Sequence, residues 1–418
     1  MKFHLRTLAL YSVFCAILFF PETADAQGVL FRGVGAVSEG FGSATTAAPL
    51  DSAGAIYWNP ASISGLKHSE MQFGVGIVMS ETELSSTMPG PFHPTTNPLA
   101  GAGSTSGSAG SIPAPSAAMV WKMPNKRWTL GFMFAGIGGA STMYPTDFEN
   151  PIMRAAGGTR TSNVQILQVL PTISYQLTKR LSIGVTPALD MGKLEIHPSA
   201  IAGPTSHEPT GTRYLWGAGV NAGLFYQADN CFNYGFTIKS PQWIEKVMVY
   251  DSTGSHYLDL DLPLILSTGV SYTGFRNTVL AVDFRYFDWG NTVGFRNAGF
   301  DAAGNFVGLG WQNIFSVAMG VERKINDRLK LRMGYCFNEN PIKAENSMYN
   351  VASPLLMEHT LSCGASWTFA KEWDVAISYT HAFQKEITGP FVAPPYGIGT
   401  VTNSAAADII NASVIKRF

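Results

Sequence analysis

Histidine is the first residue type to weigh for covalent or metal chemistry, and the eight histidines are scattered along the chain. His359 and His381 fall in segments whose two-residue alternation turns them to the apolar face, where no nucleophile, base and acid converge. Cys231, Cys336 and Cys363 lie far apart, at no metal-ligand spacing, and three cannot all pair with one another. Gly33, Gly35 and Gly40 have the wrong spacing for a dinucleotide loop, and no βαβ unit follows. Asn411-Ala412-Ser413 matches a glycosylation acceptor but lies inside a strand, a chance match. The residues thus point to no enzyme, metal site or cofactor. What remains is binding chemistry. Arg285, Lys330 and Arg332 share the inward parity of their strands, and Arg suits two-pronged recognition of a carboxylate. Asp283 and Glu322 lie close enough in sequence to neutralise them instead.

Those cations need elements to hold them, and the alternation says which. Trp216, Ala218, Val220, Ala222, Leu224 and Tyr226 form an apolar face with aromatics at both ends, opposite small Gly217, Gly219, Asn221 and Gly223. Leu329, Leu331, Met333, Tyr335 and Phe337 do the same, as do Trp373, Val375, Ile377 and Tyr379. Aromatics flanking an aliphatic centre suit strands that cross a bilayer between two interfaces. A soluble β-sandwich also alternates, but it gives no reason for aromatic rims or for connections of two alternating kinds. Short polar turns recur at 124–127, 178–180, 229–230, 275–277, 325–327 and 371–372. Between them come long stretches at about 81–113, 139–163, 197–212, 250–260, 290–310, 341–356 and 388–404. The expectation is an all-β fold, a transmembrane antiparallel β-barrel of about 14 strands.

Composition and the chain ends agree. Charged residues make up 14% of the chain and aromatics 12%, against about 25% charged in an ordinary soluble domain. A net charge of −1 without a basic cluster excludes nucleic acid as a partner. Lys2 and Arg6, the apolar run Thr7–Phe20 and Ala24-Asp25-Ala26 read as a secretory signal over 1–26. The last segment, Ile410 to Phe418, alternates to its final residue, as a strand that closes a barrel on the first would. Residues 67–418 are therefore assigned to the barrel, and the location expected is a bacterial outer membrane. A lumen of about 14 strands is too wide for its own side chains to fill. Residues 27–66, rich in Gly and Ala and unlike a strand, are the expected N-terminal plug or hatch.

Within that stretch, Ala53-Gly54-Ala55 leads into Asn59-Pro60-Ala61, preceded by Gly33-Val34-Gly35-Ala36 and Gly40-Phe41-Gly42-Ser43-Ala44. By itself Asn-Pro-Ala makes a rigid corner: Asn bonds nearby backbone, Pro fixes φ, and Ala permits close approach. Here the chain resembles the FadL family of long-chain fatty acid and hydrocarbon transporters, whose plug carries such a tripeptide. The resemblance implies a monomer in outer-membrane lipid that catches a fatty acid or hydrocarbon on external loops. An apolar pocket then receives it, and it leaves sideways through a kinked strand, with Asn59, Pro60 and Ala61 at the gate. Candidate capture residues are Phe92 in the first long loop and Phe148, Ile152 and Met153 in the second. Gly131, Gly136 and Gly138 mark the third strand as the kink, because glycine within a strand often marks a bend. An outer-membrane lipase-like enzyme, a porin and an adhesin are the alternatives. A porin needs an open polar lumen, and a plug of some 40 residues opposes it.

Overall fold

The computed structural model describes residues 27–125, 127–196, 211–251, 254–301 and 306–418, so the expected signal over 1–26 lies outside the described residues. The first half of the wall comprises β1 (Glu70–Met88), β2 (Gly101–Lys122), β3 (Trp128–Tyr144), β4 (Arg160–Gln176), β5 (Leu181–Ile196), β6 (Arg213–Gln227) and β7 (Phe232–Lys239). The second comprises β8 (Ile265–Tyr272), β9 (Thr278–Phe287), β10 (Ile314–Lys324), β11 (Leu329–Asn338), β12 (His359–Ala370), β13 (Trp373–Ala393) and β14 (Gly397–Arg417). Each pairs antiparallel with its neighbours in chain order, and a two-residue strand at Trp243–Ile244 doubles onto β6. The ends meet: β1 pairs with β14 from Glu70↔Arg417 to Thr87↔Thr400, and the Phe418 amide donates to the Ser69 carbonyl at 2.9 Å. A closed ring of 14 strands leaves no sheet edge in hydrocarbon.

The two faces differ as the alternation requires. Phe73, Trp216, Met333, Ile377 and Ile410 all point outward and are at least half exposed. Inward positions are polar and buried, among them Gln72, Thr186, Asn221, Thr237, Ser267 and Asp283. Among the described residues no helix is long and apolar enough to cross a membrane.

Several connections expected to be long loops are strand instead. β1 and β2 run on to Met88 and from Gly101, leaving 89–100 as the loop, and β13 and β14 leave only 394–396. The stretch 139–163 holds the end of β3, the helix Pro151–Ala156 and the start of β4. Strand above the bilayer needs no apolar outer face, so the alternation that reveals a lipid-facing strand disappears there. Hydroxyl pairs knit this upper sheet, Thr87 to Thr400 at 2.7 Å and Thr388 to Thr402 at 2.8 Å. Of the stretch 197–212, residues 197–210 lie outside the described ones.

Replacing the outward mid-strand Met333 by Arg is expected to destabilise the barrel by about 2–4 kcal/mol in lipid, measured by denaturant titration in vesicles. A loss within experimental error would show that this face does not meet hydrocarbon.

Candidate ligand site and hatch

Residues 27–66 are packed among the inward side chains of the barrel and carry two short helices, α1 (Ala36–Gly40) and α2 (Ser52–Trp58), then a 3-10 turn at Ser62–Gly65. Asp51 starts α2 by accepting the Gly54 amide at 3.1 Å. Burial pushes the Asp51 carboxyl up to about 6, against the pull of bonds from Gln72 and Gly54. α2 ends at Asn59, whose amide donates to Thr46 and Leu224 carbonyls, both at 2.9 Å, while its oxygen accepts the Ala61 amide at 3.0 Å. Pro60 and Ala61 press on β5 so closely that a Cβ at Gly184 would lie 2.4 Å from the Ala61 nitrogen. The corner thus contacts β4, β5 and β6, with Ser174 Oγ also donating to the Ala61 carbonyl at 3.2 Å.

Cations fix the adjoining aromatics. The Arg285 guanidinium lies 3.5 Å over the Trp58 ring, and Lys239 lies 4.4 Å from that ring and 3.8 Å from Tyr57. Trp58 Nε1 donates to the Arg32 carbonyl at 2.9 Å and the Tyr57 hydroxyl to the Phe31 carbonyl at 3.1 Å. Those bonds hold a short extended run beside β3. The Phe31 amide donates to Ile137 O at 2.8 Å, the Gly139 amide to Val29 O at 3.0 Å, and Leu30 bridges Gly138.

This run lies where β3 has lost a neighbour. The β2–β3 ladder stops at Ser116↔Ala135, although both strands continue. The β3–β4 register slips between Gly136 and Gly138. Gly131 stands in unbroken ladder, opposite Val120 and Thr172, and its missing Cβ makes room for Ile56 of α2 rather than for a bend.

Two cavities flank residues 27–31, and Val29 lines both. One, of about 920 Å³, is almost wholly apolar, with Val164, Ile166, Leu194, Leu215, Leu260 and Trp311 in its wall. The other, of about 800 Å³, reaches Val78, Ile112, Gly139 and Ala140 beside the interrupted seam.

The cations singled out in the sequence all have acidic neighbours. Arg285 pairs with Asp283 at 2.9 Å and also bonds the Ser43 carbonyl. Arg332 meets Glu322 at 2.6 Å and Ser366 at 2.7 Å. Lys330 lies 3.8 Å from Glu322, at a polar mouth on the turn side that it shares with Lys324 and Arg417. A fourth cation was missed. Arg160, 2% exposed, shares the inward face of β4 with Ser162, Val164 and Ile166 of the apolar cavity. Its Nη2 donates to the Ile152 carbonyl at 2.8 Å, but Nε and Nη1 have no partner, and no ion pair holds it among the described residues. Tyr144, its opposite number on β3, is buried too, with its hydroxyl directed at Thr82 of β1. Its sequence signal was an arginine two residues from the alternating run, hidden in a stretch read as loop.

Of the capture candidates, Phe92 and Phe148 are exposed and Arg154 lies 5.2 Å over the Phe92 ring. Ile152 and Met153 are buried instead, in the short helix Pro151–Ala156 against Leu84, Val351, Phe391 and Val401. A helix this short must bury its apolar side, so these two form a floor rather than an open surface.

A closed 14-stranded wall with a leading segment inside it defines a stoppered outer-membrane barrel. Residues 18–418 match the model of the outer membrane protein transport protein family (OMPP1/FadL/TodX), and the chain belongs to that family. Long-chain fatty acid transport proteins of Salmonella typhi and Escherichia coli K12 are each 24% identical over 202 and 200 residues. Those matches cover 42% of this chain and 46% and 44% of the relatives, so the chain spans less than half the length of each. Among solved structures, a Pseudomonas aeruginosa FadL homologue superposes with a TM-score of 0.72 at 14% identity, over 94% of this chain and 100% of that one. The P. putida toluene transporter TodX gives 0.66 at 16% identity, over 93% and 99%. At such identities these two establish the fold.

Asn59→Ala removes three hydrogen bonds, worth about 1 kcal/mol each net. The outcome expected is faster proteolysis within 27–66 and lower uptake, with heat-modifiable gel mobility of the barrel unchanged. Unchanged proteolysis and uptake would remove the corner from the gate.

Proposed function

We propose that the protein carries long-chain fatty acids across the outer membrane as a monomer, with residues 27–66 as its hatch. Arg160 is the observation that carries this reading. A buried guanidinium with two unmet donors and no acid beside it is a costly arrangement unless an anion completes it. Further along the same inward face of β4, Ser162, Val164 and Ile166 line the apolar cavity, where each CH₂ of an alkyl chain gains about 0.8 kcal/mol by leaving water. Carboxylate at one end and hydrocarbon beyond it is the shape of a fatty acid. Exposed Phe92 and Phe148 offer a first apolar contact at the loops.

Passage then follows from the position of Val29. Val29 stands between the two cavities together with Ser353 and Leu355, and the run 29–31 is held to β3 by two backbone bonds. Its withdrawal joins the cavities and uncovers the interrupted β2–β3 seam, through which an apolar chain moves into lipid without re-entering water. The buried segment 27–66 opposes free diffusion of polar solutes, which disfavours a porin, and no catalytic role is assigned.

Transport of neutral hydrocarbons is the second reading, favoured by how apolar the cavity is and by the toluene transporters of like fold. Arg160→Met separates the two. Charge-assisted hydrogen bonds are worth about 1.5–3 kcal/mol, so labelled oleate uptake should fall about tenfold or more while toluene uptake is spared. Equal loss of both, or of neither, would take the carboxylate away from Arg160.

A further inference from the structure

The interrupted seam has a cause on β2 rather than on β3. The geometry points to Pro113 and Pro115 as the residues that keep β2 from zipping onto β3, and so as the frame of the lateral opening. This rests on the exit route just proposed. Backbone amides along a strand point alternately to its two neighbours. On β2, the Lys122 amide turns toward β1, donating to Ser69 Oγ at 3.0 Å, and the Met123 amide turns toward β3, donating to Trp128 O at 3.0 Å. The β1–β2 register runs without a slip from Met79↔Ser111 to Glu70↔Val120, so the alternation holds throughout. The nitrogens of residues 113 and 115 therefore face β3, and both are proline, without a hydrogen to give. Continuing the register past Ser116↔Ala135 would set Pro115 opposite Gly136 and Pro113 opposite Gly138. The two missing donors are the two that would close the seam.

The rest of the barrel supplies the comparison. Pro171 on β4 pairs with Phe132 on one side, and Pro187 on β5 pairs with Val220. Between them the β4–β5 ladder breaks, from Val169↔Leu189 to Ile173↔Val185, where the two prolines stand opposite each other. Pro390 on β13 keeps Thr400 of β14 but lies beyond Ala382, where pairing with β12 ends. These five are all the prolines in the barrel strands, and each has ladder on one flank only. The seams differ in what backs them. The β4–β5 gap is closed from inside by Thr172 and Thr186, whose hydroxyls lie 2.7 Å apart, and by Ala61. The β2–β3 gap is backed by the detachable run 29–31 and a cavity. Of the two seams, the second is the one with a cavity behind it among the described residues.

The test is P113V/P115V in the full-length barrel, with hydrogen exchange read by mass spectrometry on peptides spanning 132–144. Restored donors should slow exchange at residues 136–141 by about tenfold or more, while P171V/P187V leaves those peptides unchanged. P115V alone, a smaller change to the wall, should give part of the slowing. Exchange as in the wild type in both P113V/P115V and P115V would overturn the assignment. The exit route is tested separately by a disulfide, A114C/G136C, with Cys231 and Cys363 changed to Ser. A Cβ at Gly136 would lie 3.5 Å from that of Ala114, within bridging range. Oxidation should abolish oleate uptake and reductant restore it. Undiminished uptake in the oxidised form would overturn the route, leaving the exchange result to decide the part played by the prolines.

Discussion

A backbone amide held in hydrocarbon has no water to turn to, and that penalty orders the whole molecule. It forces the ring of strands to close, with Phe418 brought against Ser69. It also makes any interruption of the wall expensive unless something else serves the orphaned groups. At β3 that service comes from within, as the Phe31 amide and the Val29 carbonyl take up backbone groups that β2 leaves unbonded. A partner from the lumen differs from a neighbouring strand in one respect. In the proposed mechanism it leaves without unfolding the barrel, as residues 29–31 detach. The weak point in the wall and the mobile element of the proposed mechanism are therefore one arrangement.

The lumen meets a different requirement, holding the 40 residues 27–66 within a wide cylinder. Polar groups do most of this. Asp283 accepts the Thr46 amide at 2.9 Å, Ser271 Oγ donates to the Ala47 carbonyl at 2.7 Å, and Asn59 ties Thr46 to Leu224. Arg285 and Lys239 lie over the aromatic end of α2. Most inward cations are thus committed to structure or to carboxylates. That commitment gives Arg160 its meaning: like Lys239 it stands buried without a salt bridge among the described residues, but Lys239 lies over Tyr57 and Trp58, whereas two of the Arg160 nitrogens have no partner.

Much of this could be read from the chain. The alternation in Trp216–Tyr226 and Leu329–Phe337 identified lipid-facing strands because hydrocarbon demands one apolar face, and turns such as 178–180 set the strand count. The Asn59-Pro60-Ala61 corner carried the family. The upper halves of β1, β2, β13 and β14 were illegible for the same reason, as strand in water keeps no apolar alternation. Pairing decided the remainder. Ile152 and Met153 look like an exposed apolar patch until Leu84 and Phe391 are seen to cover them. Gly131 looks like Gly136 and Gly138 in sequence, and only the register tells an unbroken ladder from a slip. Arg160 lay in a stretch without apolar alternation, and that it lacks an acid such as the Glu322 of Arg332 is decided by pairing in three dimensions.

The claim beneath all of this is that the ligand leaves through the wall and not through the turn-side mouth. A radiolabelled fatty acid bearing a diazirine at its methyl end, irradiated during uptake and mapped by peptide sequencing, tests it most directly. The account predicts adducts on Ile112, Ala114 and Ala140 beside the seam. Adducts concentrated instead on Lys324, Lys330 and Phe275, around the polar mouth, would contradict it.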